Sequence, residues 1–160
     1  ELNRLYETYL TTNFVRRGYP YNFTQDLNGD FIIRTLQGSE NGDVEADYSW
    51  VHFSLSAPVL LKDQEIYVYG KFNNYELNEA NRIYYNPALE IYEGVILLKQ
   101  GIYNYKFVAK TPQSELYNAI CGSHALTENR YLILVYFRYF GNQHDSLIAM
   151  GETSSFEIID

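Results

Sequence analysis

A single cysteine, Cys121, excludes a disulfide within the chain, and it reads as a small buried hydrophobe. No apolar run approaches the ~18 residues of a membrane-spanning helix. Positive charge is scarce, with twelve Lys and Arg against twenty Asp and Glu, a net charge of −8 and a pI of about 4.8. Without a basic run such a surface repels a phosphate backbone, so nucleic acid is not expected as a partner. No repeat of roughly 20 to 50 residues appears, so a solenoid or propeller is not expected. Nucleophile elbow, Walker loop and dinucleotide fingerprint are all missing, and the lone cysteine has no protease signature around it. The chain is therefore not expected to be an enzyme.

Aromatic residues are abundant. They make up 17% of the chain, including 17 tyrosines, and they are interleaved with Gly, Asn and β-branched residues. This composition suits short pleated strands. Leu2, Leu5, Tyr6, Tyr9 and Leu10 recur at helical spacing, which predicts a short amphipathic helix or a segment entering from an upstream domain. Pro20 disfavours helix and central strand alike, so residues 13 to 27 read as an extended arm. Asn28-Gly29 marks a turn before the strand-like Asp30-Phe31-Ile32-Ile33, and Asn41-Gly42 marks a second. Residues 1–45 are thus expected to form an arm or the tail of a preceding domain.

From residue 46 to 160 the pattern is that of an antiparallel β-sandwich. Val51, Phe53 and Leu55 alternate with His52 and Ser54. Ile66 and Val68 alternate with Tyr67 and Tyr69, apolar on both faces as in a central strand. Residues 91–98 and 101–109 read as a hairpin about Lys99-Gln100-Gly101. Residues 111–127 read as a loop, Tyr131 to Tyr139 as the longest strand, and residues 146–159 as the last one or two. Turn signals at roughly 8 to 12 residue spacing complete the expectation of an all-β sandwich.

Several clusters invite a chemical reading. Asp26-Leu27-Asn28-Gly29-Asp30 resembles a calcium loop superficially, but glycine comes two places early, Phe31 sits in its position and Gln37 stands where the closing glutamate belongs, so a turn is expected. Asp43, Glu45 and Asp47 would share one face of an extended segment, as a solvated edge that discourages strand pairing. His52, His124 and His144 are far apart, and Cys121 with His124 supplies two of the four ligands of a structural zinc, so no metal and no other cofactor is expected. Asn22-Phe23-Thr24 fits an N-glycosylation acceptor. The tyrosines around the asparagine-rich tip, Tyr69, Tyr75, Tyr84 and Tyr85, are candidate binding groups, since an amphipathic ring contributes apolar area and a polar handle together. Phe72, Asn73, Asn74, Tyr75, Tyr84 and Tyr85 make up the expected partner-binding set.

Two resemblances sharpen these expectations. Gly70-Lys71-Phe72-Asn73-Asn74-Tyr75 and Gly101-Ile102-Tyr103-Asn104-Tyr105-Lys106-Phe107-Val108 resemble the G-x-F-N-x-W and E-G-x-Y-x-Y-K-F motifs of glycogen-binding, early-set immunoglobulin-like domains. The resemblance implies an immunoglobulin-like fold and a carbohydrate site in which Tyr75 replaces the first stacking tryptophan and Lys106 is the sugar-contacting lysine, with Tyr85 beside them. The family's second tryptophan is replaced by Lys110-Thr111-Pro112-Gln113.

The second resemblance runs through almost the whole chain. Asp26 to Ile33, Glu45-Ala46-Asp47-Tyr48-Ser49-Trp50-Val51-His52-Phe53-Ser54-Leu55, Leu98-Lys99-Gln100-Gly101-Ile102-Tyr103-Asn104-Tyr105 and Thr127 to Tyr131 are similar to the C-terminal part of the type IX secretion system plug family of Bacteroidetes. That resemblance implies a non-enzymatic module of a longer exported protein, periplasmic and associated with the outer membrane. Its partner would be the outer-membrane translocon barrel, which it closes, and its export signal would lie outside these residues. In that setting Asp145-Ser146-Leu147 fits the O-glycosylation pattern of the same phylum, with Ser146 as acceptor.

Overall fold

The computed structural model describes residues 6–21, 26–35, 41–57, 64–124, 127 and 129–155. Asn22, Phe23 and Thr24, and with them the candidate acceptor, lie outside the described residues, as does Gln37. The fold is mostly β, and it divides into two compact units, Glu1–Ser123 and His124–Asp160.

In the first unit, strand pairing begins earlier in the chain than the sequence pattern predicts. β1 (Tyr6–Tyr9) and β2 (Asn13–Phe14) both lie parallel to β4 (Tyr48–Ser56), with Tyr6 opposite Ser49 and Asn13 opposite Leu55. Over Tyr6–Tyr9 the expected helix is therefore a strand, while Leu2 and Leu5 lie outside the described residues. A free edge on β4 satisfies its backbone groups, whereas an exposed helix this short would leave most of its own unpaired. Side chains reinforce the pairing. Thr8 Oγ1 lies 2.7 Å from Ser49 Oγ, and the Ser49 hydroxyl donates to the Tyr6 carbonyl at 3.0 Å. The parallel pairs make the sheet mixed, where an antiparallel one was expected. Residues 6–14, read as an arm, thereby join the first unit.

β3 (Phe31–Ile33) follows the Asn28-Gly29 turn, in which both residues have positive φ and Asp26 Oδ1 accepts from the Asn28 amide. A helical turn, α1 (Gly42–Glu45), occupies the acidic stretch, so Asp43, Glu45 and Asp47 do not form the extended edge expected of them. The large sheet runs β1-β4-β7-β6-β5-β9-β10, with β5 (Glu65–Tyr69), β6 (Arg82–Asn86), β7 (Ile91–Lys99), β9 (Lys106–Lys110) and β10 (Glu115–Leu116). β6 pairs with β5 through Arg82 and Ile83 and with β7 through Tyr84 to Asn86. Phe53, Leu55, Ile66, Val68, Ile83, Tyr92, Phe107 and Ala109 close into one buried core with Ile120. The period-two patterns of β4 and β5 produce that core directly.

The expected hairpin about Lys99-Gln100-Gly101 does not form. β7 pairs with β4 and β6, while β8 (Gly101–Tyr103) turns away to pair with β3, and β9 pairs with β5 and β10. The turn moves the chain from one sheet to another. Gly101 is required there because a Cβ would lie 2.4 Å from the Ile32 carbonyl oxygen. Gln100 locks the crossing by donating its amide to the Asp47 carbonyl and accepting from the Arg34 amide.

In the second unit, β11 (Arg130–Phe137) pairs antiparallel with β12 (Ser146–Ser154), and among the described residues with no other strand. β11 is shorter than β4, β7 and β12, contrary to expectation, and every one of its residues is exposed.

Candidate interaction surfaces

The asparagine-rich tip is built from its backbone outwards. Asn73 Oδ1 accepts from the Gly70 amide and its Nδ2 donates to the Val68 carbonyl, which also accepts from Asn81. Gly70 is needed because a Cβ would meet the Phe72 ring at 2.6 Å and the Asn104 carbonyl at 2.7 Å. Lys71 donates to Asp30 at 2.5 Å, which holds the Asp30 carboxyl below its usual range and raises the Lys71 ammonium. Asn74 and Tyr75 then adopt left-handed backbone, at φ 55° and 58°. Of the six expected contact residues, Asn73 is consumed by these bonds, and Phe72 and Tyr85 pack against the core. Tyr75 and Tyr84 remain as exposed rings, with Tyr84 held by its bond to Glu79 and by Arg82 5.0 Å above its ring.

Tyr75 and Lys106, expected to act together on a sugar, do share one cluster. The Tyr75 ring lies 5.2 Å from Tyr69, Tyr69 lies 5.5 Å from Tyr117, and Lys106 Nζ is 5.7 Å from the centres of both Tyr69 and Tyr117. Tyr85 is elsewhere, edge-on to Tyr92 at 5.2 Å. Tyr117 was missed by the sequence reading because it sits in a stretch without alternation. Its hydroxyl donates to Glu115, which pushes the phenol up to about 12.

A cleft of about 1050 Å³ opens over β4. Val51, Phe53 and Leu98 supply apolar lining, Tyr103 and Tyr105 contribute aromatic walls, and Arg34, Glu45, Asp47 and Lys99 add charges. Burial raises the Tyr103 phenol, whose hydroxyl donates to the Lys99 carbonyl. Nothing in the sequence points to this cleft, since Val51 and Phe53 look like ordinary inward strand residues.

β11 and β12 present apolar side chains on both faces. Leu132, Leu134 and Tyr136 share one face with Met150 and Leu147 across the ladder, while Tyr131, Ile133, Val135 and Phe137 occupy the other. The register shifts between Val135 and Tyr136, leaving Ile148 as the extra residue of a bulge. Arg130 pairs with Glu152 and Arg138 with Asp145, so charge is confined to the two ends. Ser146, the candidate O-glycosylation acceptor, is the half-buried first residue of β12.

The chain is similar over 96% of its length to a hypothetical protein of Parabacteroides merdae known from a crystal structure, at 35% identity and a TM-score of 0.79. It spans 38% of the length of that protein. No protein-family model and no curated protein matches it.

Proposed function

We propose that this chain is a non-enzymatic interaction module of an exported periplasmic protein that docks on the outer-membrane translocon of the type IX secretion system and closes it. The observation that carries this reading is the β11–β12 pair, whose two strands expose apolar side chains on both faces, Phe140 beyond β11 being exposed as well. An isolated pair of strands is marginally stable in water, and apolar patches this broad mark interaction sites. The similarity to a longer Bacteroidetes protein agrees with the motif resemblance. In this reading the first unit is an immunoglobulin-like, early-set sandwich. The chain's change of sheet at Gly101 and the one core shared by β4, β7, β5 and β9 both favour that architecture.

The mechanism is steric. Leu132, Leu134, Tyr136 and Met150 form the contact face, with Tyr75 and Tyr84 of the tip as further anchors, and closure needs stable burial rather than turnover. Cells lacking the parent protein should admit large solutes through an unplugged translocon, and the wild-type gene should restore the barrier. Unchanged permeability would contradict the reading.

A second reading, carbohydrate recognition, is favoured by the Tyr69–Tyr75–Tyr117 cluster with Lys106 at its centre. Migration of the purified chain through gels containing soluble α-glucan should then be retarded, and Tyr75→Ala should abolish the retardation. Equal mobility with and without glucan sinks this reading.

A further inference from the structure

The face of the β11–β12 pair carrying Tyr131, Ile133, Val135 and Phe137 is not flat. These four side chains, between 43% and 53% exposed, stand in a row along β11, and the residues opposite them on β12 are all small. Thr153 faces Tyr131, Gly151 faces Ile133, Ala149 faces Val135 and Ser146 faces Phe137. A Cβ built on Gly151 meets nothing within 4 Å, so the space above β12 is open. A ridge therefore runs beside a shelf of equal length. Tyr139, packed edge-on against Phe137 at 4.9 Å, prolongs the ridge.

We propose that this face is a self-association surface, and that its occupant is the same face of a second copy of this chain. A two-fold axis parallel to the strands, midway between two such faces, places the ridge of each copy over the shelf of the other. Because that rotation preserves position along the strand, it also fixes the register. Ile133 of one copy sits over Gly151 of the other, and Val135 sits over Ala149. Two-fold interfaces demand this kind of self-complementarity, and sheets stacked about 10 Å apart interdigitate the side chains of their facing surfaces.

Area and charge agree with this occupant. The ridge offers roughly 500 Å² per copy, and with the shelf about 1,200 Å² is removed from two copies, the lower end for a specific interface. The chain as a whole is acidic at −8, which opposes pairing of copies, but residues 130–154 carry two arginines against one aspartate and one glutamate. Those four charges are paired with each other at the two ends, so this surface brings no net repulsion. Hydrocarbon is a poorer occupant, because the outer edges of β11 and β12 are unpaired among the described residues and lipid offers their backbone groups nothing. This surface is the reverse of the proposed translocon-facing one, and the inference does not depend on that function.

Sedimentation equilibrium of the purified chain across a concentration series tests the proposal, with a monomer–dimer equilibrium as the expected result. Gly151→Ile, which fills the shelf without a clash inside one copy, should weaken the dimer about tenfold or more. Adding Ile133→Ala to that variant should bring affinity back towards wild type, since the ridge is lowered where the shelf is raised. Far-ultraviolet circular dichroism confirms that each variant keeps its strands, and Leu134→Asp on the reverse face should leave the dimer intact. A chain monomeric at every concentration overturns the proposal. So does a dimer indifferent to Gly151→Ile, a dimer broken by Leu134→Asp, or a loss that Ile133→Ala fails to restore.

Discussion

Asn73 shows how a single residue of a recognisable motif can hold a tip together. Its side chain joins the Gly70 amide to the Val68 carbonyl and so clamps the tip onto the end of β5. Asn73→Ala leaves the Gly70 donor unmatched and should cost about 1–3 kcal/mol in urea denaturation, whereas Tyr84→Ala on the exposed rim should change stability by less than about 0.5 kcal/mol. Tyr67 gives the pH dependence at this scale. Burial, and then its hydrogen bond to Glu65, push the phenol up to about 12, against an unfolded value of about 10. The neutral form is favoured in the folded state, so this stabilisation is complete below about pH 10 and is lost as pH rises through about 12. Phenolate absorbance should show a late-ionising tyrosine that disappears in Tyr67→Phe. The same late step persisting in that variant would contradict the assignment, provided Tyr117, also raised to about 12, is removed by substitution in both chains.

At the scale of elements, the inward faces of β4 and β5 were legible because alternation reports burial directly. Leu55 and Ile66 are fully buried, and either change to Ala should cost about 2–5 kcal/mol. Leu134→Ala in β11 should cost far less in the isolated chain, since Leu134 is 40% exposed. Comparable losses at Leu55 and Leu134 would contradict the exposure of β11. Pairing was less legible than burial. The chain's crossing at Gly101 looks in sequence like a hairpin turn, because two alternating runs about a glycine are written the same way whether they bond to each other or to third strands. The distinction lies in the close approach of Gly101 to Ile32, a contact between residues distant in sequence. Gly101→Ala should accordingly speed amide exchange across β3 and β8 while leaving β5 and β9 protected. β1 misled for a related reason, since the helical spacing of Tyr6 and Tyr9 was outweighed by the unsatisfied edge of β4.

For the molecule as a whole, composition and charge narrowed the class to an acidic all-β protein, and the structure assigns that β content to two units, Glu1–Ser123 and His124–Asp160. The candidate surfaces were only partly legible. Tyr75 and Lys106 do lie in one cluster, but its completion by Tyr117 and the cleft over β4 depend on contacts between residues far apart in sequence, and the double-faced exposure of β11 is not written in its alternation. Alternating apolar residues read as buried, yet those of β11 are exposed. The proposed docking role of the second unit rests on that mismatch. The most direct test is co-purification of the full-length parent from solubilised outer membranes, wild type against a Leu134→Asp, Met150→Asp variant. The account predicts that a very large barrel protein accompanies the wild type and is lost from the variant while its fold persists. A barrel absent from both, or retained equally by both, would contradict it.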